Sequence, residues 1–360
     1  MLVAPGFHAE RCVRYRYSYS ACSRCADACL HEAIRLFDAG VEVLGGRCKH
    51  CGLCAAACQT EALNQIGVSA DHLLKMAGES KQMTIACAPS ELAATVVVPC
   101  LGALHPVVLA ELSRQDIALE LAGVEHCVEC SHASRGKDMI RSNLAAREML
   151  CSAGVPATWA AITLRSGEVE ATGKHEKLDA TRRSLFHRIV GHGADVVSGK
   201  LDAAPAPLKA IRAAAPFLPE RKAILNKLHA TGEGAITVFR HDAIPAEDWE
   251  VVRGCTYCEA CVRVCPTGAL QLLESNTAWR LAVLNDRCVA CDVCAEVCQP
   301  KVLRREHAEE VIINKQKGRL MVAVAKQRCT QCDRVFVKES GGDVCPVCSG
   351  DDDDFASIFG

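Results

Sequence analysis

The chain has 360 residues, half of them hydrophobic, a formal net charge of -2 and 25 cysteines. That length is generous for one domain and suits roughly two to four, while the near-neutral charge excludes a global basic field that would draw the protein onto nucleic acid. The opening MLVAPGFHAERC lacks the basic segment and apolar core of an export signal, and the longest apolar stretch, TVVVPCLGALHPVVLAEL, is broken by Pro99, His105 and Pro106; the expectation is a cytoplasmic chain without a membrane span, whose cysteines bind metal rather than form disulfides.

The first cysteine group covers residues 12–58. CVRYRYSYSACSRCADAC is close to C-x2-C-x2-C-x3-C, with Tyr19 where the first cysteine of the pattern would stand. A complete quartet follows in CKHCGLCAAACQTEAL. Three cysteines two residues apart let a short loop hold three corners of an iron–sulfur cube while its amides face the sulfurs; in two-cluster folds the fourth cysteine binds the other cube. One 4Fe-4S site is then Cys29, Cys48, Cys51 and Cys54, and the other has Cys22, Cys25 and Cys58 with one ligand missing. Cys12 is the uncommitted cysteine upstream, and the loop from 13 to 21 can return it to the cube. The alternative is a three-thiolate cluster with Cys12 free. VRYRYSYS alternates polar and aromatic residues, which predicts a short strand or ribbon with Tyr15, Tyr17 and Tyr19 on one face.

Residues 83–151 change rhythm. MTIACAPS, ATVVVPC and IALELAGVEHC read as strands, GALHPVVLAELSRQ and GKDMIRSNLAAREML as helices, so an open parallel sheet is expected. Cys87, Cys100 and Cys127 each follow a predicted strand, with Cys130 completing a C-x2-C, which would bring all four to the carboxyl rim of the sheet. PCLGALHPVVLAEL followed by GVEHCVECSHASRGKDMIRSNLAAREML resembles the delta subunit of methyl-viologen-reducing hydrogenase, a small iron–sulfur domain that passes electrons towards heterodisulfide reductase. The resemblance implies a 2Fe-2S cluster on Cys87, Cys100, Cys127 and Cys130, with zinc or no metal as the alternatives. His126 and His132 lack Rieske spacing and read as outer-sphere or surface residues. Cys151, near a helix end, reads as a buried apolar thiol.

Residues 152–250 hold no cysteine. DATRRSLFHRIV and PERKAILNKLHA read as amphipathic helices joined by the linker AAPAPLKAIRAAAP. GADVVSGKL has the wrong spacing for a phosphate loop.

The third group repeats the first. CTYCEACVRVCPTGAL aligns Cys255 with Cys48 and Cys265 with Cys58, both ending T-x-A-L, and CVACDVCAEVCQP repeats the quartet again. Interleaving assigns Cys255, Cys258, Cys261 and Cys298 to one 4Fe-4S cluster and Cys265, Cys288, Cys291 and Cys294 to its neighbour. The repeated unit resembles the bacterial 2×4Fe-4S ferredoxins, including a proline after Cys265; Leu30, Gln59 and Gln299 replace that proline elsewhere. Zinc is the competing chemistry for C-x2-C.

In the tail, CTQCDRVFVKESGGDVCPVC sets Cys329 and Cys332 before Cys345 and Cys348, two knuckles of a tetrahedral S4 site that suits zinc, with rubredoxin-like iron as the runner-up. The following DDDDF argues against phosphate nearby.

The expected fold is an α+β multidomain chain: a ferredoxin-like 2×4Fe-4S module at 1–68, a small α/β parallel-sheet domain at 80–165, a helical linker region at 166–245, a second module at 246–310 and a zinc-ribbon-like tail at 320–350. No catalytic residue is legible. The expectation is an electron-transfer subunit carrying four 4Fe-4S clusters, a 2Fe-2S cluster and zinc or iron. It would work in a hetero-oligomeric oxidoreductase complex, between a catalytic subunit and a ferredoxin-type or other redox carrier, with the middle domain between its two modules. The resemblance in the middle domain points to a hydrogenase or heterodisulfide-reductase-like partner. A free polyferredoxin and a zinc-organised interaction or redox-sensing protein are the alternatives.

Overall fold

The structure is a computed structural model, described over residues 4–64, 67–152, 159–165, 210–228, 236–313, 318–337 and 342–349. The N-terminal part is built from β1 (Gly6–Phe7), the single helical turn α1 (Val13–Arg16), α2 (Arg24–Asp27), the hairpin β2 (Ile34–Phe37) and β3 (Gly40–Val43), α3 (Leu53–Ala57) and β4 (Leu63–Asn64). β1 pairs antiparallel with β4, closing the ends of the segment around the hairpin.

A helix, α4 (Ala70–Ala77), leads into the middle part. There β5 (Gln82–Cys87), β6 (Val96–Val98), α5 (Pro106–Arg114), β7 (Ala118–Ala122), α6 (Ala133–Ser152) and β8 (Ile162–Leu164) form a parallel sheet of order β6-β5-β7-β8. Burial alternates along its strands, so Val96, Val98, Leu119 and Leu121 face the core while Val97, Thr84 and Glu120 on the other face are exposed or half-buried. Ile85, Leu119 and Leu121 lie under Leu104, Leu109 and Leu112, all at most 1% exposed. Pro106 opens α5 at a position where its missing N–H costs nothing, and the buried His105 caps the helix by accepting from Val107 N.

From Ala210 to Pro219 the chain is extended rather than helical, and α7 (Glu220–Leu228) follows. The expected helix DATRRSLFHRIV lies outside the described residues. β9 (Ile236–Phe239) precedes β10 (Trp249–Val251), α8 (Ala260–Val264), the hairpin β11 (Leu270–Glu274) and β12 (Ala278–Val283), α9 (Val293–Val297) and β13 (Leu303–Arg305). β10 pairs antiparallel with β13. The order strand, helix, hairpin, helix, strand therefore repeats that of the N-terminal part. β14 (Glu310–Ile313) pairs with β9. β15 (Arg319–Arg328) then runs along β12 and carries β16 (Val335–Val337) on its far side, before the short α10 (Pro346–Ser349). The tail is thus continuous with the sheet of the preceding segment. Lys326 lies over the Trp279 ring at 4.8 Å and Arg319 pairs with Asp248.

Two expectations need correction. VRYRYSYS forms one helical turn, so its side chains diverge instead of lining one face: Tyr17 is buried, Tyr15 half-buried beneath Arg212, and Tyr19 is 75% exposed. The middle part does not separate the two cysteine-rich parts. Val13 and Tyr17 pack directly against Val264, Val293 and Val297, and the fully buried Arg16 donates to the Cys265 carbonyl (3.4 Å) and to those of Ala214 and Ala215. Among the described residues, no helix is long and apolar enough to cross a membrane.

Candidate functional site

Each quartet ends in the same backbone device. The third residue after the fourth cysteine, Glu32, Glu61, Gly268 or Lys301, has φ of 48°, 50°, 65° or 54°. Two residues later a strand begins, at Ile34, Leu63, Leu270 or Leu303. The left-handed residue turns the chain out of the loop and into the sheet. The three complete quartets also share a left-handed pair around their second cysteine: His50 and Gly52, Tyr257 and Glu259, Ala290 and Asp292. The incomplete quartet departs from this, with Ser23 at φ -128°. Its loop lacks the shape that would wrap a thiolate at position 19.

The thiols gather into separate recesses. One is lined by Cys12, Cys22, Cys25 and Cys58, so the structure brings Cys12 to the three cysteines that lacked a fourth. Burial first, then Cys58, Cys22 and Cys12, push the Cys25 thiol far up. At Cys12 burial also raises the thiol, while the backbone N–H groups of Tyr15 and Arg14 in α1 oppose the shift. Beside this recess, burial followed by Cys51, Cys29 and Cys48 pushes Cys54 up to about 12. In the C-terminal part, Cys255, Cys258, Cys261 and Cys298 line one recess and Cys265, Cys288, Cys291 and Cys294 another. Cys261 is pushed up to about 12 by burial and then by Cys255, Cys258 and Cys298. These are the interleaved sets that the spacing names.

Cys87, Cys100, Cys127 and Cys130 converge at the carboxyl end of the parallel sheet, in a recess that also has His126 and His132 in its wall. Cys87 ends β5, Cys100 follows β6, and Cys127 lies in a 3-10 turn after β7. Two glycines keep the sulfurs uncrowded. A Cβ on Gly123, whose φ is +99°, would stand 3.0 Å from Cys87 Sγ, and one on Gly136 would stand 3.0 Å from Cys100 Sγ. His132 is buried and shares a 2.9 Å hydrogen bond with His31 of the N-terminal part. Cys151 stays apart, half-buried in α6, with burial pushing its thiol up to about 11.

These recesses suit metal. Buried thiols crowded together resist becoming thiolates until a cation joins them, and a bound metal would supply that charge. Two sulfurs on one tetrahedral zinc lie about 3.8 Å apart; among the described residues, the set whose ligand atoms all fall within 4.8 Å of one another is Cys329, Cys332, Cys345 and Cys348. Cys332 and Cys345 are 3.7 Å apart there. The Cys345 amide donates to Cys329 Sγ at 3.2 Å, which pulls that thiol down to about 6. Among the described residues, the four sulfurs of the tail are drawn close enough together to hold one ion.

The 4Fe-4S dicluster domain family matches residues 254–302, which contain all eight cysteines of the two C-terminal recesses. No curated protein and no solved structure matches the chain. The C-terminal part is therefore an iron–sulfur domain of the dicluster kind, of a type associated with electron transfer.

Sequence reasoning missed several supporting residues. Thr60 and Thr267, buried in the repeated T-x-A-L, bring their hydroxyls to 3.6 and 3.7 Å from Cys58 Sγ and Cys265 Sγ. The repeat itself was the signal, since a threonine kept two residues after a ligand in both copies is placed to donate to its sulfur. Arg221 left no such signal. Its guanidinium donates to the carbonyls of Ala56 (2.8 Å), Ala55 and Cys58, while Glu61 accepts from Arg221 Nε and from the first amides of α7.

Proposed function

We propose that the chain is an electron-transfer subunit that holds four 4Fe-4S clusters on its interleaved quartets, a 2Fe-2S cluster on Cys87, Cys100, Cys127 and Cys130, and zinc in the tail. The observation that carries this reading is the gathering of three of the four interleaved sets around recesses of their own, while the tail's sulfurs draw together as for a single ion. A bound cluster would accept and release one electron with little change of shape. The protein's own contribution is to hold the thiolates in rigid loops, to exclude water with Leu63, Leu270 and Val293, and to aim hydroxyls and amides at sulfur.

The four-cysteine rim of the middle part, with its resemblance to the hydrogenase delta subunit, supports a catalytic partner of the hydrogenase or heterodisulfide-reductase kind and a cytoplasmic hetero-oligomer. Anaerobic purification with iron, acid-labile sulfide and zinc analysis tests the reading, together with electron paramagnetic resonance during a reductive titration. The expected result is a brown protein, bleached by dithionite, with zinc stoichiometric to the chain. A colourless protein containing zinc and no sulfide overturns it.

A further inference from the structure

The two cysteine-rich parts lie far apart in the sequence, yet one cysteine belongs to both of their facing recesses. Cys291 lines the recess of Cys265, Cys288 and Cys294 and also stands in the wall of the recess of Cys12, Cys22, Cys25 and Cys58. The loops on either side are fastened together. Arg24, between Cys22 and Cys25, donates to the carbonyl of Ala290 (3.1 Å) and pairs with Asp292 (3.6 Å), the residues that flank Cys291. Arg305 holds the same Asp292 from the other side, with contacts of 3.2 and 2.7 Å. Gln59, next to Cys58, donates to the Asp242 carbonyl at 2.6 Å, and Arg24 also reaches that carbonyl.

The segment between Cys12 and Cys22 supplies the rest of the contact. Val13 and Tyr17 enter an apolar group with Val264, Val293 and Val297, and Arg16 reaches the Cys265 carbonyl. The extended chain at 210–217 runs along both parts: Arg212 N donates to the Arg16 carbonyl, Ser18 N to that of Ala210, and Phe217 N to that of Pro266. A loop bearing its first cysteine at position 19 would have to bend around its own recess. With the thiol supplied from Cys12, residues 13–20 are free to lie against the other part.

We propose that residues 12–24 form a joint, with Arg24 as its positioning residue, which seats the N-terminal quartets on the loop at 288–293 and makes the five cysteine sites a single file. The order along the file differs from the order along the chain. The middle site comes first and meets the Cys29, Cys48, Cys51 and Cys54 set where Cys100 and Cys51 share a buried apolar group with Leu53. Cys25 and Cys54 share the next such group. Cys291 makes the crossing, and Cys261 and Cys294 lead to the last recess, where Cys258 is exposed. This deepens the electron-transfer reading and rests on it: the two modules form one conducting unit with no partner needed to bridge them.

Two measurements on the full-length, anaerobically loaded protein test the joint. In the Arg24→Lys variant, a zero-length carbodiimide should link position 24 to Asp292, with the Lys326–Glu274 pair linking as the internal control. In Arg24→Gln, the broad magnetic interaction signal of the fully reduced protein should narrow relative to the unaltered chain while iron and sulfide stay the same; Arg24→Lys should restore it. Formation of the control link without the 24–292 link overturns the joint, as does an interaction signal unchanged in Arg24→Gln. Absence of iron and sulfide from the unaltered protein overturns the electron-transfer reading instead, and the cross-link reports on the loops' contact without reference to it.

Discussion

Tyr19 occupies a ligand position in the repeat and is 75% exposed, while Cys12 is buried in the recess that needs a fourth thiol. Cys12→Ser should therefore abolish or convert one cubane signal in electron paramagnetic resonance. An unchanged spectrum would mean that this cluster lives on three thiolates. The threonines permit a finer test. When the sulfur is a cluster-bound thiolate, the Thr60 or Thr267 hydroxyl donates to it, which favours the more negative, reduced form. Thr267→Val should lower the potential of the cluster held by Cys265. A differential of about 1 kcal/mol for the lost bond corresponds to roughly 40 mV for a one-electron couple. A potential that holds or rises in a redox titration would show that the hydroxyl does not serve that sulfur.

At the scale of elements, α7 acts as a staple from a cysteine-free segment. Its Arg221 is buried, paired with Glu61, and satisfies carbonyls at the end of α3 and at Cys58. Arg221→Met removes the cation paired with Glu61, which keeps only the α7 amides, and leaves those carbonyls without their donor, at a cost of about 3–5 kcal/mol. The expected outcome is a lower thermal midpoint with early loss of the cluster held by Cys58, followed by its visible absorption on heating. What the sequence revealed follows from how locally each element is determined. Quartets, the alternating strands and helices of the middle part, and the helix at PERKAILNKLHA are written in spacing over a few residues. The α1 turn is not, because its apolar positions, Val13 and Tyr17, are chosen by a surface that arrives from residues 264–297. The extended run at 210–219 is equally silent, since its hydrogen bonds go to distant backbone and leave no periodicity.

For the whole molecule, the tail stands apart in chemistry while remaining joined in structure. Cys345→Ser should release zinc and leave the cluster signals intact, because the tail's four sulfurs fit one ion and line none of the four cysteine recesses. If iron leaves instead, the tail holds iron. β15 should keep its place on β12 after the metal is lost, held by the Lys326–Trp279 contact and the Arg319–Asp248 pair; hydrogen exchange along residues 319–328 checks this. The spacing of thiols showed which of them assemble, but not which assemblies adjoin, since adjacency depends on long-range contacts such as those of Arg16 and Arg24.

The wall that Cys291 gives to the N-terminal recess is the last of its lining residues to leave the ribosome. Until the later half of the chain has been synthesised and folded, that cavity stands open on one side to oxygen and to competing metals. A metal or cluster loaded before Cys291 is in place would meet an incomplete wall, and chains cut short before residue 288 should mature with this site the most vulnerable of those they retain.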